Sequence, residues 1–321
     1  MKKVILFTIL AVASSLVGSV SAKSWRVNNL DASANFTTLD AAMAGVTVGD
    51  TIYLEGSPND YTLSNAISKQ VVIIGPGYFL DQNENTLVSK SPAMIASNVT
   101  ILAKGTVLEG ITIARTNTNL YIAADDVVIR KCHLYRIYFS DNTASTNLEI
   151  ANTIITQSYI IDDITVGSND YGKGGLISNN ILGEYGLFRG LRNFDILFNT
   201  FTAANPSAFA TTGSSNCNIR NNIYRGNSVG SGTNNTYTNN YKASTAEFVA
   251  GDSSDKKWQL IATSQGNTAS SAGGQCGAFG SSSPYVLSGL ANIPHIYDIE
   301  APTSASAASG LSVTVKIGTE K

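Results

Sequence analysis

The chain is short of charge. Of its 321 residues 14% are Asp, Glu, Lys or Arg and 43% are hydrophobic, so its polar surface must be made largely of Ser, Thr and Asn. No basic run occurs, and loss of Lys2 and Lys3 takes the formal charge from −2 to −4, which argues against nucleic acid as a partner. Histidine is nearly absent: His133 and His295 stand far from each other and from the three cysteines, Cys132, Cys217 and Cys276, so there is no zinc signature. An odd cysteine count leaves at least one free thiol. Cys132 and Cys217 fall at different points of the repeat described below, several coils apart, and read as small buried residues rather than a disulfide. Long apolar runs are missing after residue 22, so no later stretch approaches a membrane-spanning helix. Sustained helical spacing of apolar residues is missing too, and so are the fixed Leu offsets of a leucine-rich repeat.

What is there is a recurring line of about six residues: apolar, any, an Asn-rich pair, any, apolar. Copies occur at 129–134, 150–155, 177–182, 196–201 and 219–224, with a frayed one at 237–242 and an Asn-free one at 108–113. Leading residues are separated by 21, 21, 27, 19, 23 and 18 positions. Such a unit is too short to bury its own apolar face, but stacked units share a core, as in a solenoid. The apolar positions are β-formers in short runs broken by Asn, Gly, Ser and Asp, so the coils are β. Asn tolerates the left-handed backbone of a tight corner, and its amide can bond to the same position one coil on. The spacing predicts one column of Asn180, Asn199, Asn222 and Asn240, with a neighbouring column of Asn152, Asn179, Asn221 and Asn239. A strand-start column holds Asp126, Asn147, Asn193, Asn216 and Asn234, with Gly174 as the exception.

These residues resemble the right-handed parallel β-helix proteins of the pectate lyase-like superfamily, in particular its exported bacterial members. The resemblance implies an all-β solenoid, here of roughly ten coils. It is specific for fold and not for activity, because lyases, hydrolases, adhesins and non-catalytic proteins share that fold.

Three segments follow. Residues 1–22 read as a secretory signal: Lys2 and Lys3, an apolar run, and a small-residue cleavage site at Ala22, which places the product outside the cell, in the periplasm or on the cell surface. Residues 23–300 form the β-helix domain, and 301–321 a linker and a C-terminal strand. Phe36, Leu39, Met43 and Val46 lie at helical spacing, with Thr37 or Thr38 as N-cap and Gly45 or Gly49 as terminator, so a short helix should cover the open end of the coils. Strands are expected at 25–27, 51–54 and 71–74, and Asp50 reads as a turn residue. Residues 81–85 are a polar loop without the glycine of a calcium loop. Final strands are expected at 247–249 and 258–261. The Gly-rich run 273–280 lacks Walker spacing and should pack on the last coil. Residues 311–317 alternate cleanly and should be a strand that joins the β-helix or covers its end.

The resemblance implies polysaccharide as partner, and the chain is expected to be a monomer. Lyases of the fold abstract the proton α to a uronate carboxylate with an Arg or Lys base, often beside calcium held by carboxylates, so Ca2+ is the cofactor to consider. Hydrolases of the fold use clustered Asp residues. The hydrolase motifs are missing here, and no lyase set can be matched. Of two acidic pairs, Asp125-Asp126 falls on the strand-start column, while Asp162-Asp163 lies outside the ladder columns. His133 reads as a hydrogen-bonded structural residue. Two residues after the closing apolar position of successive units stand Arg115, Arg136, Gln157 and Glu184, which should form a stripe edged by Tyr138, Asp162, Asp163 and Arg189. A ring beside charges of both signs suits a glycan groove. For catalysis, Asp162, Asp163 and Glu184 would be acids or metal ligands, with Arg189 or Arg136 as base or carboxylate clamp; Arg115, Arg136, Tyr138 and Gln157 would hold substrate. The alternative for these residues is a set of mutually paired surface charges, and the alternative to a polysaccharide-active, lyase-like enzyme is a non-catalytic glycan-binding or structural surface protein.

Overall fold

Every strand from Ser24–Val27 to Tyr241–Lys242 pairs only in parallel. The computed structural model of the chain describes residues 21–140, 149–166, 171–183, 188–204, 214–227, 230, 232–251, 255–304 and 310–319. The stack is a parallel β-helix with sheets of ten, seven and five strands and a two-stranded patch joining Glu149–Ile150 to Tyr171–Gly172. It makes about seven full turns rather than about ten, since the first three coils add strands to the ten-stranded sheet and none to the seven-stranded one. The core follows from strand alternation: in Thr51–Leu54, Ile52 and Leu54 point inward and Thr51 and Tyr53 outward. Strict register then stacks like on like. Ile52, Ile73, Leu108, Ile129, Ile155, Ile177, Ile196 and Ile219 form one fully buried column through the ten-stranded sheet.

The Asn ladder is present. Asn180, Asn199 and Asn222 are fully buried. The backbone N–H of each donates to the Oδ1 of the next, Asn180 to Asn199 at 3.0 Å, Asn199 to Asn222 at 2.8 Å and Asn222 to Asn240 at 3.1 Å. Their Nδ2 groups donate back to strand carbonyls, including Ile155, Ile177 and Ile196. Cys132 and Ser158 extend the same column: Cys132 N donates to Ser158 Oγ and Ser158 N to Asn180 Oδ1. Such a column satisfies corner N–H groups that a buried turn would otherwise orphan. The residue before each rung takes positive φ: Lys131, Gln157, Asn179, Phe198, Asn221 and Asn239. All three cysteines are buried and free.

One coil is phased differently from the sequence reading. Ile155, not Ile150, pairs with Ile129 and Ile177, so the repeat there is 155–160 with Gln157 and Ser158 at the corner. Asn152 belongs instead to the strand-start column, with φ 57° beside Asp126, Asn193, Asn216 and Asn234, and its Nδ2 donates to Asp126 Oδ1 at 3.0 Å. Gly174 holds the same place but remains the exception, with φ 126° where the others lie in the left-handed region. Asn147 lies outside the described residues.

The helix Leu39–Gly45 caps the N-terminal coils as expected, with Thr38 accepting from Ala41 N and Leu39 and Ala42 buried. Asp50 closes the same end: it accepts from Thr47 N, Lys23 N and Trp25 Nε1, and these hydrogen bonds hold its carboxyl far below the usual range.

The C-terminal half departs most from expectation. Residues 245–247 and 256–258 are short 3-10 turns, and only Phe248 and Leu260 bridge, so neither expected final strand forms. The chain then runs back along the outside of the corner column as a strap. Ala269 O accepts from Asn239, Ser271 bonds Asn221, Ala278 O and Gly280 O accept from Asn179, Pro284 O accepts from Gln157, and Asn292 meets Lys131. The Gly-rich run therefore crosses several coils rather than packing on the last. Gly277 shows why it is glycine: φ is 81°, and a Cβ would stand 2.5 Å from Ile223 Cδ1. Asp255, fully buried, pins the strap by accepting from Asn83 Nδ2, Ser288 N and the Tyr285 hydroxyl. The C-terminal strand exists as Thr314–Gly318, but it pairs antiparallel with His295–Glu300 in a separate hairpin. Residues 1–20, which carry most of the expected signal segment, lie outside the described residues. Among the described residues no helix is long and apolar enough to cross a membrane.

Candidate functional site

The expected stripe maps onto the outward face of the five-stranded sheet. In Asn119–Ile122 and Arg136–Phe139 the aliphatic and Phe residues point into the core, leaving Asn119, Tyr121, Arg136 and Tyr138 outside. Register sets Thr100, Tyr121, Tyr138, Thr165 and Arg189 in one row, with Asn119 and Arg136 in the adjoining one. The Tyr121 and Tyr138 rings stack at 5.4 Å and 15°.

The charges in this region are paired. Arg136 forms an ion pair with Asp162, donates from Nη1 to the Tyr138 hydroxyl at 3.3 Å, and lies over the Tyr135 and Tyr138 rings. Burial opposes the charge on Arg136, but Asp162 and Tyr138 outweigh it and raise its pKa above the ordinary value. Arg189 Nη2 lies 3.7 Å from Asp163 Oδ2. Arg115 pairs with Asp60 at 2.5 Å and does not join the row, because the loop 114–118 intervenes and Asn119 takes the place opposite Arg136. Arg136 Nε and Asn119 Oδ1 are buried and find no hydrogen-bond partner among the described residues.

The rephased coil explains which expected residues meet. Gln157 sits at a corner of the helix, 8% exposed, holding the strap, and so has no place in the stripe. Counting two residues past the true closing position, Ile160, gives Asp162, and Asp162 is the residue that Arg136 meets. Glu184 lies outside the described residues. Asp162, Asp163, Arg136, Tyr138 and Arg189 are therefore brought together, and Arg115 and Gln157 are not.

His133 packs against Tyr78, Phe79 and Tyr159, with no hydrogen bond to its ring among the described residues, in place of the expected hydrogen-bonded histidine. Desolvation there lowers its pKa to about 4. Among the described residues no three His, Cys, Asp or Glu side chains are grouped as metal ligands would be.

A second feature has no counterpart in the sequence reading. A groove of about 760 Å3 crosses the first coils of the ten-stranded sheet, with Arg26, Tyr53 and Ile74 on its floor and Leu87, Ser91 and Ile293 on its walls. Arg26 there is paired with Glu55 at 2.5 Å and with Asp31 at 3.2 Å. The floor is an outward row of adjacent strands, but its walls come from segments about two hundred residues apart, which no local pattern links.

Compared with protein-family models, with curated proteins and with solved structures, the chain matches none.

Proposed function

We propose that this protein is an exported, non-catalytic glycan-binding β-helix related to the pectate lyase-like superfamily, and that polysaccharide lies along the outward face of the five-stranded sheet. The observation that carries the reading is the row Tyr121, Tyr138, Thr165, Arg189: rings, a hydroxyl and a guanidinium aligned along the helix axis, one strand spacing apart. Parallel strands repeat at about 4.8 Å, so an extended chain of sugars meets a regular surface. Rings offer apolar faces and edges to pyranose C–H groups, while the exposed Arg189 guanidinium offers hydrogen bonds to hydroxyls.

The pairing of charges favours binding over cleavage. A base must lose its proton at working pH, whereas the Arg136 pKa is raised by Asp162 and Arg189 faces Asp163. The test is a screen against immobilised neutral and uronate-containing polysaccharides, run beside an absorbance assay for unsaturated products with and without Ca2+. Retention on a polysaccharide without product supports the reading. Product formation makes the protein a lyase, and no retention on any glycan removes the proposal. Loss of binding in Tyr53→Ala but not in Tyr138→Ala would move the site to the groove.

A further inference from the structure

The C-terminal hairpin is two-faced. Cross-strand partners share a side of a sheet, and Ile296 stands opposite Ile317 and Ile299 opposite Val315. Val313 and Leu311, in the segment that leads into Thr314–Gly318, are exposed as well. The other side carries Lys316 bound to Asp298 at 2.7 Å and to Glu300 at 3.0 Å. All the ion pairs of the hairpin are thus on one face, and the opposite face is purely aliphatic.

That aliphatic face is bare. Exposure is 43% for Ile296, 49% for Ile299, 57% for Leu311, 48% for Val313, 45% for Val315 and 63% for Ile317. Six aliphatic side chains about half exposed make a patch on the order of 500 Å2, at the upper end of the largest patch a monomer usually shows. A two-stranded hairpin is only marginally stable alone and gains most from a second layer. Among the described residues, the hydrogen bonds that tie the hairpin to the β-helix lie at its root, where Val88 N donates to Ile296 O at 3.1 Å and the His295 ring lies near Asn85 O, and none covers the aliphatic side chains.

We infer that the second layer is the same hairpin of another copy of this chain, the two aliphatic faces closing on each other about a two-fold axis. Two observations choose this occupant. The face carries no charge and the charges behind it are satisfied within the hairpin, so nothing on it would orient a partner of opposite charge, whereas a flat aliphatic face is complementary to itself. The area also fits: two such patches bury on the order of 1,000 Å2 together, the lower bound for a specific interface, which predicts a weak dimer. Aligned sheets about 10 Å apart would interdigitate Ile296, Ile299, Val315 and Ile317. The inference departs from the monomer expected from sequence.

Sedimentation velocity of the full chain, from low to high micromolar concentration, decides between them. The expected result is a reversible monomer–dimer equilibrium for the wild type. Both Ile317→Glu and Val313→Lys should weaken it about tenfold or more without changing the melting of the β-helix. Val313 lies before the paired strand Thr314–Gly318, so Val313→Lys does not interrupt hairpin pairing and keeps the test valid if Ile317→Glu disorders the hairpin. A monomer throughout the range, a dimer unchanged by both variants, or monomers that instead sediment with phosphatidylcholine vesicles would each overturn the inference.

Discussion

The Oδ1 of Asn222 accepts both the backbone N–H of Asn199 at 2.8 Å and its side-chain Nδ2 at 3.0 Å. Asn199 receives the same pair of bonds from Asn180 one coil earlier. Each rung thus fastens the corner of its neighbour, and the ladder is a structural element as much as the strands are.

Asn199→Leu should therefore be costly. The Asn180 N–H, buried, would lose its acceptor, and an orphaned buried donor costs about 1–3 kcal/mol before any loss of packing is counted. A lower urea midpoint at unchanged slope is expected, and an unchanged midpoint would contradict a structural ladder.

Gly277→Val should lift the strap. Its Cβ would meet Ile223 Cδ1 and Thr200 Oγ1, at a φ that a branched residue avoids. Limited proteolysis should cut within 269–293 in the variant and spare the wild type, while far-UV circular dichroism of both stays β. Equal resistance would show that the strap is not held at this point.

Thiol chemistry reports the same packing. Burial pushes the Cys132 thiol up to about 12 and the Cys276 thiol to about 11, and Cys217 is raised as well. At mildly alkaline pH none of the three should react with a disulfide reagent in the native protein, and all three should react in denaturant. A fast native thiol would contradict the burial.

His133 gives a pH signature. Its folded pKa, about 4, lies below its ordinary value of 6.5. Between those values the unfolded chain binds the proton and the folded one does not, so this contribution is fully present above about pH 6.5 and is lost as pH falls to about 4. The difference in stability between wild type and His133→Phe should follow that window, and an NMR titration of the His133 ring should give a midpoint near 4. A midpoint near 6.5 would contradict a desolvated ring.

Much of the fold was legible because corners need left-handed residues and ladders need amides, and both needs show as Asn. Asn179–Asn180 and Asn221–Asn222 mark coils by themselves. Where other residues serve the same geometry the signal fails. Gln157 and Ser158 form a corner without Asn, and Asn152 at the opposite corner imitates the missing pair, which shifted that coil by five positions and put Gln157 in the stripe in place of Asp162. The strap was illegible for another reason: its contacts join residues such as Asn179 and Gly280, 101 positions apart, through backbone carbonyls that any sequence would offer. His295–Glu300 went unrecognised as the partner of the last strand because Asp298 and Glu300 hide its alternation.

The central claim is that glycan is held on the row of Tyr121, Tyr138 and Arg189. With a polysaccharide identified by the screen, titration calorimetry of the wild type against Tyr138→Ala and Arg189→Ala tests it most directly. The account predicts an affinity lower by about tenfold or more in each variant, given about 1–3 kcal/mol for losing a stacking ring or a charged hydrogen bond. Unchanged affinity in both variants would contradict it.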